Sequence, residues 1–104
     1  LDVRDLELHR HRFVVVDLRT RAAFASGHFP DSVNVPVGEL PGAVGSSHVQ
    51  QLLGRHLVLV DDAGVRPSAA DAAVHFVRGH VPLVSTLRGG FAALQARLGS
   101  LMIR

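Results

Sequence analysis

Two continuous apolar runs, Phe13-Val-Val-Val-Asp17 and Leu57-Val-Leu-Val-Asp61, constrain the fold more than any other feature of the sequence. Both are rich in β-branched residues and lack the polar alternation of a strand with one wet face. They therefore read as central parallel strands covered by helices on both sides. Each run ends in an aspartate. If the strands are parallel, Asp17 and Asp61 share the carboxyl edge of the sheet, where open α/β folds place their ligand crevice. Shorter strands are expected at Val33 to Val35, at Leu83 to Ser85 and, as an edge strand, at Leu1 to Val3. Helices are expected over Thr20 to Ser26 closed by Gly27, Ser47 to Leu53 closed by Gly54, and Pro67 to Arg78 closed by Gly79, with a last one after Gly89-Gly90. In the third, Pro67 suits the first helical position, while Ala70, Ala73, Val74 and Val77 recur on one face. This alternation of strand, turn and helix predicts an α/β layer fold.

At 104 residues the chain has room for one domain, 1–104, and one site. It begins with Leu1 rather than methionine, so a fragment of a longer chain is expected. The apolar runs are far shorter than the roughly 18 residues that suggest a membrane span, and no secretory signal is visible. No membrane association and a cytoplasmic location are the resulting expectations. There is no cysteine, which excludes disulfides, thiolate metal sites and thiolate nucleophiles from within the chain. All 11 basic residues are arginine, so lysine chemistry is excluded as well. The arginines are scattered rather than clustered with aromatics, and nucleic-acid binding is not expected. Glu7, His9 and His11 lack a fourth ligand and read as solvated, so neither a metal nor a cofactor is expected.

Between the second apolar run and Pro67 lies the short loop Asp61, Asp62, Ala63, Gly64, Val65, Arg66. A strand-to-helix loop of this kind turns successive backbone N–H groups toward one point, to which the following helix adds its partial positive charge. The loop is predicted to form an anion cradle.

Val14-Val-Val-Asp17-Leu-Arg19, followed by Phe24-Ala-Ser-Gly27-His28-Phe29-Pro30-Asp31-Ser-Val-Asn34-Val-Pro36, resembles the paired N-terminal motifs of rhodanese domains. Leu57 to Arg66 is similar to that family's active-site strand and loop, and Leu87-Arg-Gly89-Gly90-Phe91 to its C-terminal Gly-Gly turn. The resemblance covers nearly the whole chain. It implies a three-layer α/β fold whose mainly parallel, five-stranded sheet carries helices on both faces. In active members a cysteine opens the six-residue loop and an arginine closes it, and the thiolate carries the transferred sulfur as a persulfide. Position 61 is instead aspartate. Leu94 departs from the tryptophan that many members carry after the Gly-Gly turn, a difference of packing more than of chemistry. A phosphatase group built on the same fold has one more loop residue than Asp61 to Arg66 provides.

An aspartate cannot hold a sulfane sulfur, and its carboxylate would occupy the cradle meant for an anionic donor. Asp62 adds a second acid. At about 4 Å and an effective dielectric near 20, each like charge opposes an anion by roughly 4 kcal/mol before Arg66 offsets part of it. Two readings of Asp61 stay open: an internal anion mimic that locks the loop for a partner, or drift after catalysis was lost, leaving an Asp61 to Arg66 ion pair. Asp17 and Arg19 resemble family residues that brace the crevice, and His28, in a Gly-His-Phe-Pro turn, reads as a packing and hydrogen-bonding residue supporting it. A receiver-domain reading of Asp61-Asp62 fails because no lysine follows. The sequence thus predicts a catalytically inactive, rhodanese-like module for protein interaction or regulation, its partner a protein or a covalently linked domain. The alternative is a sulfurtransferase-related enzyme whose cysteine is supplied by another domain or was replaced at position 61.

Overall fold

The computed structural model describes residues 1–39, 42, 55–62, 73–74, 77–78 and 83–103. Four strands are present among them: β1 (Phe13–Asp17), β2 (Val33–Asn34), β3 (His56–Val60) and β4 (Val84–Thr86). They form one sheet in the order β2-β1-β3-β4, and every neighbouring pair is parallel. The two apolar runs lie side by side at its centre, paired from Phe13 opposite His56 to Asp17 opposite Val60.

Alternating side chains of these central strands feed two cores. On one face, Val14, Val16, Leu57 and Leu59 pack with Ala73, Val74 and Val77, which lie on helical backbone. On the other, Val15, Val58 and Val60 pack with helices α1 (Val3–Leu8) and α3 (Gly90–Leu98) through Leu6, Phe91, Leu94 and Leu98. Burial on both faces is what the absence of polar alternation demands. Leu94 is fully buried in the second core, where its side chain fills space rather than lining a site. Helix α2 (Arg21–Ser26) begins where Thr20 Oγ1 accepts a hydrogen bond from the Ala23 amide at 3.2 Å and ends at Gly27.

Two expectations are corrected. Leu1 to Val3 is not an edge strand, because Val3 opens α1: the Asp5 carboxylate accepts from the Asp2 amide at 3.3 Å, and Val3 and Leu6, one turn apart, bury together against α3. Only Leu1 keeps strand-like bonds, its ammonium donating to the Thr86 carbonyl and its own carbonyl accepting from the Arg88 amide. The sheet therefore has four strands among the described residues, not five. In addition, β3 ends at Val60 and β4 runs from Val84 to Thr86, so Asp61 lies just beyond its strand and Leu83 just before its own. The expected helix from Ser47 to Leu53, and Pro67 to Ala72, His75 and Phe76 of the next, lie outside the described residues.

Candidate functional site at the carboxyl edge of the sheet

Parallel pairing brings the exits of β1 and β3 together, and the Leu18 amide extends the ladder past Asp17 by donating to the Val60 carbonyl at 2.8 Å. Asp17 is buried there with Arg19. The Arg19 guanidinium meets the Asp17 carboxylate through Nε at 3.0 Å and Nη2 at 2.9 Å, while the Arg19 amide donates to the same carboxylate at 3.0 Å. Nη2 also donates to the Gly27 carbonyl at 2.7 Å, which ties the end of α2 to the pair. Asn34 completes the junction, its side-chain amide donating to the carbonyls of Asp17 and Arg19, each at 3.0 Å. A two-point fork of this type fixes both side chains.

Phe91 links this pair to the exit of β3. The Arg19 guanidinium carbon lies 3.5 Å from the centre of the Phe91 ring, a close cation–π contact. The Phe91 amide donates to the Asp61 carbonyl at 2.7 Å, and the Ala92 amide to the Asp62 carbonyl at 2.9 Å. The first-turn amides of α3, which a helix leaves without internal partners, are therefore taken up by the main chain of the loop. Gly89 and Gly90, with φ of 78° and 58°, turn the chain into this contact. Asp61 is buried and Asp62 exposed. Ala63, Gly64, Val65 and Arg66 lie outside the described residues, and with them the expected cradle and the Asp61 to Arg66 pair.

His28 stands on the α2 side of the site. Its ring stacks on Phe24 with centroids 3.9 Å apart, and Nδ1 lies 2.9 Å from the Phe24 carbonyl. Its backbone exchanges two hydrogen bonds with Ile103, so the C-terminal segment crosses over the turn. A cleft of about 270 Å³ opens between α2 and α3, lined by Arg19, Ala23, Ser26, Gly27, Phe91 and neighbouring side chains. Glu7 accepts from Arg97 at 3.0 Å rather than converging with His9 and His11, and among the described residues no three histidine, aspartate or glutamate side chains gather around a metal-sized space.

Asp17, Arg19, Asn34 and Phe91 thus form one connected unit, and Asp61 joins it through its main chain. Sequence reasoning placed Asp17 and Arg19 here but gave no role to Asn34 or Phe91. An aromatic residue directly after the Gly-Gly turn was the available signal for the latter. The unit holds acids and a neutralised guanidinium, with no thiol anywhere in the chain to accept sulfur.

A family model described as the rhodanese-like domain matches residues 2–97. The TBC domain-containing protein kinase-like protein of Gallus gallus is 33% identical over 95 residues; the match covers 85% of this chain and 10% of that protein's length. Among solved structures, the human single-domain sulfurtransferase TSTD1 aligns with a TM-score of 0.78 at 20% identity, covering 93% of this chain and 95% of that one. The rhodanese-like domain of the Alr3790 protein from Anabaena sp. gives 0.77 at 24% identity, covering 94% and 74%. At these identities the structural likeness speaks for the fold.

Proposed function

Because this chain belongs to the rhodanese-like domain family, we propose that it serves as a non-catalytic interaction or regulatory module of that family, and not as a sulfurtransferase. One observation carries the reading: the β3 exit, at which the family's nucleophile is expected, holds a buried aspartate in a chain with no cysteine. Sulfur transfer needs a thiolate to form the persulfide, and a carboxylate oxygen has no comparable affinity for sulfane sulfur. Placing a carboxylate there also opposes anionic donors such as thiosulfate. The curated relative supports a module within a larger protein, since the matching stretch is 10% of its length. A chain without cysteine does not depend on an oxidising compartment, which fits the cytoplasm.

Sulfur transfer from thiosulfate to cyanide, measured for the protein and for Asp61→Cys, tests this reading. The parent is expected to give no transfer above the blank. The variant is expected to gain measurable transfer, because the Asp17–Arg19–Phe91 unit that fixes the β3 exit is unaltered. Transfer by the parent would overturn the proposal.

A further inference from the structure

The opposite end of the sheet carries a second concavity, away from the site at the exits of β1 and β3. It encloses about 700 Å³ and is lined by Arg10, His11, Arg55, Phe13, Phe29 and Asp31, with residues of β1 and β2 between them. β1 is paired along all five residues with β3, but with β2 only at Val16 and Asp17. On that side the backbone groups of Phe13 and the Val15 amide have no ladder partner among the described residues, while the Val16 to Val33 register takes up the Val15 carbonyl. Val14 and Val15 send their side chains into opposite cores, yet both line the same groove. The groove therefore meets β1 along its backbone edge, where ladder donors and acceptors lie.

Two cations at the mouth lack a carboxylate partner among the described residues. Arg19, Arg21, Arg88 and Arg97 each have a carboxylate partner. Arg10 and Arg55 have none among the described residues, and both are exposed. Arg55 is held across the mouth by donating to the His11 carbonyl at 2.9 Å, and Arg10 rests over the Phe29 ring at 5.1 Å. Two guanidinium groups are thus fixed beside an apolar wall of Phe13 and Phe29. Asp31, also on the lining, has no cationic partner among the described residues.

We propose that this groove binds an extended, acidic segment of a partner protein, which adds to the open edge of β1 and places a carboxylate between Arg10 and Arg55. Edge addition satisfies the main chain of both partners, and alternate side chains of the guest meet the apolar wall. Charge complementarity selects the guest, and Asp31 keeps its acidic residue to the arginine side of the groove. The inference rests on the module reading and names the kind of partner that reading lacks.

The probe is a blocked synthetic peptide of alternating glutamate and valine, titrated into the isotopically labelled protein and followed by amide chemical shifts. Saturable shifts are expected at Phe13, Val14, Val15, Phe29 and Val33, weakening with salt. The double variant Arg10→Glu, Arg55→Glu is expected to bind about tenfold or more weakly while keeping a dispersed, folded spectrum. Absence of saturable shifts, shifts centred on Asp61, or unchanged affinity in the folded variant would each overturn the proposal. Equal binding of a lysine–valine peptide or of a short RNA at this groove would also overturn it. Failure here leaves the sulfur-transfer result untouched, whereas transfer by the parent would remove the module reading while leaving the groove measurement standing.

Discussion

Asp31 is the only non-glycine residue with positive φ among the described residues, at 63°. It follows Pro30 in a turn closed by the Ser32 amide donating to the Phe29 carbonyl at 3.1 Å, which makes it the third residue of a type II turn. That position favours glycine, because a Cβ there crowds the backbone. Aspartate tolerates the conformation better than most side chains, so the strain is modest. Asp31→Gly is expected to stabilise the fold by about 0.5 kcal/mol, the relief of strain exceeding the added entropy of the unfolded chain. Urea unfolding of the two proteins checks this, and a loss of stability would mean that Asp31 makes a compensating contact. Asp17 and Arg19 present the opposite case. Both are buried, and the Arg19 guanidinium is shared among Asp17, the Gly27 carbonyl and the Phe91 ring, so breaking the pair to recruit either charge costs about 3–5 kcal/mol.

Among the elements, α3 connects the sheet edge to the second core, and its entry depends on Gly89. A Cβ at Gly89 would stand 2.7 Å from the Cβ of Ala93, on backbone with φ of 78°. Gly89→Ala is expected to cost at least about 2 kcal/mol, from left-handed strain together with displacement of α3 from the Asp61 and Asp62 carbonyls. A variant as stable as the parent by urea unfolding would show that this entry turn adapts freely. The elements legible in the sequence were those fixed by local rules. β1 runs from Phe13 to Asp17 as its unbroken apolar run predicts, and Thr20 and Gly27 bracket α2 as cap residues do. Leu1 to Val3 was misread because three residues carry no period; the helix is declared only by Asp2 and Asp5 around Val3 and by burial of Leu6 against α3. Of the site, Asp17 and Asp61 followed from parallel pairing. The reach of Arg19 to Gly27 and Phe91 did not, because those contacts exist only once α2 and α3 have packed. That β1 keeps an unpaired stretch among the described residues was equally hidden, since it follows from β2 pairing over only two residues.

At the scale of the whole molecule, one pH-dependent contribution to stability comes from His56, which opens β3 beside β4. Its Nε2 lies 2.7 Å from Ser85 Oγ, and its ring meets the edge of Phe13 with centroids 5.0 Å apart. Partial burial pushes its pKa below the usual 6.5. The folded state therefore disfavours the imidazolium, whereas the unfolded chain does not. Between the depressed folded value and 6.5 the unfolded chain binds more protons, so stability rises with pH across that window. The contribution is fully present above the unfolded value and is lost as pH falls through the folded one. Because β1, β3 and β4 share this corner, the loss is expected to appear as a falling urea midpoint of the whole domain and not as local fraying. His56→Gln removes the titrating group while keeping a hydrogen-bonding partner for Ser85. The difference in midpoint between pH values above and below 6.5 is therefore expected to be smaller in the variant than in the parent. An identical pH dependence in both would place the acid sensitivity elsewhere and show that the β3–β4 corner accepts the charged ring without penalty.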